Sequence, residues 1–411
     1  MTLGAEIMNA KITNANEYKR VFVDENVEIA QTVTRILNDI KKNGDTAVNK
    51  WSIEIDKKEA QIIELKAFSE YKLEKDLANA IIVAHERIRK FCQFQMKDLK
   101  NDTYKDDVGE FGYIYQPIEK IGAYIPGGRF PLISTALMTL TPAKVAGCKE
   151  RIACSPSTHP AILAAASLAG ATKFIQIGGA QAIGALSYGF DSIDPVNMIV
   201  GPGNSYVNTA KSQVQYRTKI DTLAGPSELL IYANRLQNLD WILYDALAQA
   251  EHDPYAESVI VSTQKQTLNN LLDLCNQSED GKKLLKNNQI QFILATSEAQ
   301  AIDFINVYAP EHLMICCQQL NLKHLKNYGA LFIGESSAVA YGDYCSGPNH
   351  TLPTSQSAKH SGGLSVHNFV KVSTIQKIDP KQRFALSKIS SILANAEGLE
   401  NHQKSVTLRN C

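Results

Sequence analysis

The 411-residue sequence predicts an α/β protein made of two parallel-sheet modules, with small N-terminal and C-terminal helical segments. Three observations carry that prediction. From about Tyr113 to His360, short β-branched runs alternate with Ala-rich stretches, the texture of βαβ units. The chain is too long for one ordinary core, so two or more domains are expected. Finally, the sequence weakly repeats itself. "FIQIGGAQAIGALSYGFDSIDPVNMIV" from Phe174 and "FILATSEAQAIDFINVYAPEHLMIC" from Phe292 both read strand, turn, Ala-Gln-Ala-Ile, helix, Tyr, strand. "STALMTLTPAKVAGCKERIACS" and "YDALAQAEHDPYAESVIVS" match as the preceding helix–strand units. The repeat fits a duplicated module over 114–227 and 228–360, and it also fits coincidence between short apolar words.

Taken in order, residues 1–20 form an arm with neither the charged start nor the apolar core of a secretory signal. "NVEIAQTVTRILNDIKKNGDTAVNKW" has apolar positions at helical spacing, with Asn43-Gly44 as a stop. "LEKDLANAIIVAHERIRKFCQFQ" is a second long helix. Strands follow at "GYIYQ", "KIGAYI", "RIACS", "KFIQIG" and "NMIVG", then at "ELLIYAN", "SVIVST", "QFILAT", "LMICC" and "GALFIG". Beyond His360, "KQRFALSKISSILANAEGLENHQKSVTLRN" reads as polar amphipathic helix, too exposed to be a core by itself.

Composition narrows the function. The chain is 44% hydrophobic and 20% charged, with 42 basic and 42 acidic residues. A net charge of zero removes the electrostatic case for nucleic acid or an anionic membrane as main partner. No apolar run suits a transmembrane helix. Eight scattered cysteines without a CxxC pair fit reduced thiols in a cytoplasm.

Three glycine turns follow strands of the first module: Gly127-Gly128, Gly178-Gly179 and Gly201-Gly203. Glycine lets a phosphate approach backbone N–H groups at a helix start, and ligands favour the carboxyl ends of parallel strands. None is the GxGxxG fingerprint, so a nucleotide cofactor would bind here by an atypical route.

Polar clusters mark the second module. In "AQAEHDP", Gln249 and His252 share a helix face at i and i+3, with Pro254 ending the helix, so an amide oxygen and an imidazole nitrogen could ligate one metal. In "VYAPEHLMICC", Glu311 and His312 stand at a strand entrance. A regular strand would point them to opposite faces, whereas a loop would let both reach one pocket as a general acid–base pair. "AYGDYCSGPNHTLPT" carries Asp343, Asn349 and His350 on a loop stiffened by Gly and Pro. "AEGLENHQKS" carries Glu397 and His402. Imidazole, carboxylate and amide oxygen together suit zinc above four-coordination, or manganese or cobalt.

"YIPGG", "GGAQAIGALSYG", "VGPGNSYVNTAK", "LAGPSELLI", "QAEHDP", "YAPEHL", "GDYCSGPNHTLPT" and "EGLENH", in this order over residues 20–411, resemble the histidinol dehydrogenase family. The resemblance implies a cytoplasmic zinc- and NAD-dependent homodimer that oxidises L-histidinol to L-histidine through histidinaldehyde, with two hydride transfers to two NAD molecules. It implies Gln249, His252, Asp343 and His402 as zinc and substrate ligands, His402 coming from the partner subunit. Glu311 and His312 match the acid–base pair, with His312 also touching substrate. Ser227 and Glu397 match substrate contacts, and Tyr124, Gln181 and Asn204 match NAD contacts. The implied architecture is two incomplete Rossmann-like domains, divided as an N-terminal arm over 1–20, an NAD-binding module over 114–227, a discontinuous catalytic domain over 21–113 and 228–360, and a helical dimerisation segment over 361–411. Arg129-Phe130 after "PGG", Cys345 and His367 depart from the family pattern. The alternatives are a zinc-dependent hydrolase on a related α/β scaffold, in which Glu311 activates water without NAD, and a catalytically silent relative kept for binding or assembly.

Overall fold

The computed structural model describes residues 12–20, 26–128, 131–234, 237–251, 253–317 and 320–410. Strand β1 (Ile12–Asn14) comes first, then helices α1 (Val27–Asn43) and α2 (Asp45–Asp56). The Asn26 side chain caps α1 by accepting from the N–H groups of Glu28 and Ile29. Gly44, with φ of 54°, separates the two helices where the Asn43-Gly44 stop was expected. Strand β2 (Gln61–Ile63) and helix α3 (Lys75–Gln95) precede the antiparallel strands β3 (Asp102–Lys105) and β4 (Gly109–Pro117).

The first module runs β5 (Lys120–Tyr124), α4 (Ile133–Ala146), β6 (Glu150–Ser155), α5 (Pro160–Ala169), β7 (Lys173–Gln176), α6 (Gly179–Tyr188), β8 (Met198–Val200), α7 (Ser205–Val214) and β9 (Lys219–Ile220). The second runs β10 (Glu228–Ala233), α8 (Leu239–Glu251), β11 (Glu257–Ser262), α9 (Lys265–Gln277), α10 (Glu279–Lys286), β12 (Ile290–Leu294), α11 (Glu298–Tyr308), β13 (His312–Cys316), β14 (Ala330–Ile333) and α12 (Val339–Tyr344). The chain then forms β15 (Val370–Ile378), α13 (Arg383–Ala396) and α14 (Glu400–Thr407).

The sheet orders are β2-β7-β6-β5-β8-β9 and β1-β12-β11-β10-β13-β14. Apart from the antiparallel edge strand β2, all neighbours in both are parallel. The five strands of each module therefore follow one order, third-second-first-fourth-fifth, and each sheet gains one extra edge strand beside its third. The two Phe-led repeats occupy equivalent places, with β7 and β12 as the third strands.

Two expectations change. Residues 21–113 were grouped with 228–360, but α1 and α2 pack on α6 and α7 across one face of the first sheet, and α3 packs on α4 across the other. The cause is local. The apolar stripe Val33, Ile36, Leu37 and Ile40, and the stripe Ile81, Ile88 and Cys92, cover faces that the module's own helices leave open. The segment 361–411 is also not wholly helical. Residues 370–378, "VKVSTIQKI", pair along their length with β4, and Leu364, Val366 and Phe369 join the first module's core. The region after residue 382 breaks into two helices at Gly398, whose φ is 71°. It also presents Phe384, Ile389, Ile392 and Leu393 to the exterior, so its outer face is apolar rather than polar. No described helix is long and apolar enough to cross a membrane.

Candidate active site

Sequence order reverses beside the first strand of each module, the place where open α/β sheets generally bind ligands. In the first module the residues of interest follow the strands. Tyr124 ends β5, and Gly201 comes directly after β8 with φ of 110°. A Cβ at Gly201 would lie 2.1 Å from the Tyr124 carbonyl oxygen, so only glycine fits. The buried Tyr124 hydroxyl accepts from the Gly179 N–H at 3.3 Å, and burial raises its pKa. Gln181, in the first turn of α6, is wholly buried. Its Nε2 donates to Asp56 Oδ2 at 3.1 Å, while its Oε1 has no partner among the described residues. Asn204 caps α7 by accepting from the Val207 N–H at 3.2 Å.

One N–H of each of two glycine turns is taken by a carboxylate. The Gly178 N–H donates to Asp56 Oδ2 at 3.0 Å and the Gly201 N–H to Asp221 Oδ2 at 2.7 Å. Asp221 in turn pairs with the buried Lys211, whose ammonium donates to the Gly201 carbonyl at 3.0 Å.

In the second module the residues of interest precede the strands. Glu311 sits just before β13 and His312 begins it, beside the start of β10 in the parallel register Leu229↔His312. Both side chains turn the same way, as the loop alternative required. His312 Nδ1 lies 3.5 Å from Glu311 Oε2 and 3.3 Å from the Glu228 carbonyl oxygen, and its Nε2 lies 3.7 Å from Asp343 Oδ1. Burial alone would push the imidazole pKa down, but the two carboxylates outweigh it and hold it up at about 10. Glu311 also accepts from the Glu228 N–H at 2.9 Å.

Gln249 lies in the last turn of α8, 3% exposed, and its Nε2 has no partner among the described residues. A buried primary amide left partly unpaired is costly unless a ligand completes it. Asp343 is carried by α12, which packs on α8. The loop after α12 is pinned by Asn349, which donates to the Met138 carbonyl at 2.5 Å, and by His350, whose Nδ1 lies 2.9 Å from the Asp343 carbonyl oxygen. Ser227 is half-buried directly before β10.

Other expected positions stand apart. His252, Arg129 and Phe130 lie outside the described residues. Glu397 and His402 are exposed on α13's end and on α14, which pack on each other. Among the described residues of one chain, no group of three or more His, Cys, Asp or Glu side chains is arranged to hold a metal. Cys345 is half-buried, its carbonyl accepting from Arg87 Nε at 2.7 Å, and His367 is exposed. Sequence reading missed Glu228 and Arg20, which are ion-paired beneath the acid–base pair, and Asp56. The available signal was Glu228 itself, an acid opening an otherwise apolar strand.

The family model described as histidinol dehydrogenase matches residues 20–410. A histidinol dehydrogenase of Methanocaldococcus jannaschii is 40% identical over 401 residues, covering 93% of this chain and 92% of its own. One from Thermus thermophilus is 37% identical over 393 residues, covering 93% and 94%. The crystal structure of histidinol dehydrogenase from Elizabethkingia anophelis superposes with a TM-score of 0.84 at 32% identity, covering 95% of this chain and 94% of that one. The chain belongs to the histidinol dehydrogenase family, oxidoreductases of histidine biosynthesis.

Proposed function

We propose that the protein oxidises L-histidinol to L-histidine through histidinaldehyde in the cytoplasm, using two NAD and one zinc per site, as a homodimer. The observation that carries this reading is the buried pair Glu311 and His312, held at one point between β10 and β13 and facing Asp343. The zinc-dependent hydrolase reading loses its basis, because the family is one of oxidoreductases.

Gln249 and Asp343 are two ligands the metal would use: Gln249 through its buried amide oxygen on α8, and Asp343 through its carboxylate beside His312 on α12, which packs on α8. His252 and the partner's His402 would complete the set. The exposed apolar face of Phe384, Ile389, Ile392 and Leu393 supports docking on a second copy, which would bring Glu397 and His402 to the neighbouring site. When bound, zinc would supply Lewis-acid positioning of the substrate imidazole and amine, and NAD would accept hydride. Tyr124, Gln181 and Asn204 are the residues for the cofactor. The Oε1 of Gln181 is an acceptor still lacking a donor among the described residues, and Tyr124 and Gly201 meet at the carboxyl ends of β5 and β8.

His312 takes the proton of the carbinol oxygen in the first oxidation. A base must start neutral, and a cation on Asp343 would remove one of the two charges that raise this imidazole. His312 then passes that proton to solvent, Glu311 takes a proton from the water that adds to the aldehyde, and the neutral His312 takes a proton from the resulting hydrate in the second oxidation. Ser227 and Glu397 orient the substrate. Keeping the aldehyde bound prevents loss of a reactive intermediate. The test is NADH absorbance on adding L-histidinol and NAD, before and after chelation and zinc return. Two NADH per histidinol, lost on chelation and restored by zinc, is the expected result. NADH formation indifferent to metal would sink the zinc assignment, and no NADH from folded, zinc-loaded protein would sink the dehydrogenase.

A further inference from the structure

We infer that Glu228 is a positioning residue for the Glu311–His312 pair, clamped in place by Arg20 of the amino-terminal arm. The inference rests on the acid–base reading above. Glu228 is the first residue of β10, and the five that follow it, Leu229 to Ala233, are apolar or aromatic and buried. Its main chain grips both members of the pair. The N–H donates to Glu311 Oε2 at 2.9 Å, and the carbonyl oxygen lies 3.3 Å from His312 Nδ1. Its side chain fixes where that main chain sits. Oε1 accepts from Arg20 and from the Ser355 N–H at 2.8 Å.

Arg20 has a second hold close to the pair. Its guanidinium donates to the Tyr308 carbonyl at 2.5 Å and stacks over the Tyr308 ring, 4.2 Å from the centroid. Tyr308 ends α11 three residues before Glu311. A second carboxylate anchors the same arm, with Glu257 accepting from the Tyr18 hydroxyl at 3.0 Å and from the Tyr308 hydroxyl at 2.8 Å. The arm, the start of β10, the approach to β13 and the loop at Ser355 therefore meet at one buried carboxylate.

Stability alone does not explain the choice. Burying a carboxylate and a guanidinium carries a desolvation cost of several kcal/mol per ion, and well-packed apolar residues often serve a core as well or better. A buried ion pair does fix register where an apolar contact would slide. Register matters here, since a misplacement of roughly 1 Å can cost on the order of 100-fold in rate.

The experiment uses full-length, zinc-loaded protein with L-histidinol and NAD, comparing Glu228→Gln, Arg20→Met, Arg20→Lys and the double variant Glu228→Gln/Arg20→Met. The expected result is a fall in kcat of about tenfold or more in Glu228→Gln and Arg20→Met, with KM for histidinol within about twofold. Arg20→Lys should recover part of the loss, and the double variant should be no worse than the poorer single. A lowered unfolding temperature with kcat unchanged at 25 °C, or strictly multiplicative losses, would overturn the inference. If Glu228→Gln does not fold, Arg20→Met decides alone, because Arg20 lies outside every strand. Glu311→Gln and His312→Asn run alongside. If both are inactive while the Arg20 and Glu228 variants match the parent, only the positioning inference fails. If both stay active, the acid–base reading fails with it.

Discussion

In the first module the residues of interest follow their strands: Tyr124 ends β5, and glycine turns come after β7 and β8. In the second they precede them: Ser227 and Glu228 open β10, while Glu311 and His312 open β13. The strand order is the same, so topology does not account for the difference. The side chains placed at the two edges do. Helix amino ends lie past the carboxyl ends of the strands, and in the first module carboxylates from Asp56 and Asp221 accept from the glycine turns there. Helix carboxyl ends lie at the opposite edge, and in the second module that edge carries Gln249, Glu311 and His312. One architecture thus presents different chemistry at its two edges.

The sharpest way to break this comparison is at the second module's edge. His312→Asn should cost about 10³-fold in kcat if His312 is the base, with the fold intact by circular dichroism. Glu311→Gln should spare the alcohol step far more than the aldehyde step, measured with histidinol and histidinaldehyde separately. Equal losses would contradict the division of roles. Next in size is the proposed link between copies. Ile392→Glu combined with Leu393→Glu should weaken self-association by about 4 kcal/mol, read by sedimentation, and activity should fall in parallel.

At the first module's edge the test is steric. Gly201→Ala should destabilise by about 3 kcal/mol in urea unfolding, since φ is 110° and the new Cβ would strike the Tyr124 carbonyl. Gly128→Ala meets nothing within 4 Å and should change stability by less than about 0.5 kcal/mol. A pH-dependent effect concerns Asp245, one turn before Gln249 on α8. Burial raises its carboxyl from 3.8 to about 6, with the Val339 N–H opposing. A raised folded-state value means that the stability it contributes is present below about pH 4 and lost as pH rises through 6. Asp245→Asn should remove that loss, a difference of no more than about 2 kcal/mol after solvent screening, seen by comparing unfolding at pH 4 and 7.

Much of the fold was legible because burial on both faces writes strands as continuous β-branched runs, and all ten that were read form strands. Gly44 was legible because a helix stop needs only local chemistry. The placement of α1 to α3 was not, since an apolar stripe states that a helix is covered but not by which sheet. β15 was missed because its alternation, with Val372 and Ile375 exposed, resembles a polar segment. At the site, Glu311 and His312 were named by residue type, but whether they converge depended on one strand boundary. Glu228 and Arg20 escaped because their meaning lies in a contact across 208 residues.

The arm's anchorage has a consequence for how the chain is made. β1 pairs with β12, and Tyr18 reaches Glu257 across 239 residues. The segment carrying β1 and Tyr18 must therefore wait for more than two hundred further residues to be synthesised before its partners exist. Such long-range closure is slow and leaves an unpaired edge exposed meanwhile. Changes within residues 12–20 should therefore disturb the distant second module rather than the first, whose strands are nearer one another in the chain.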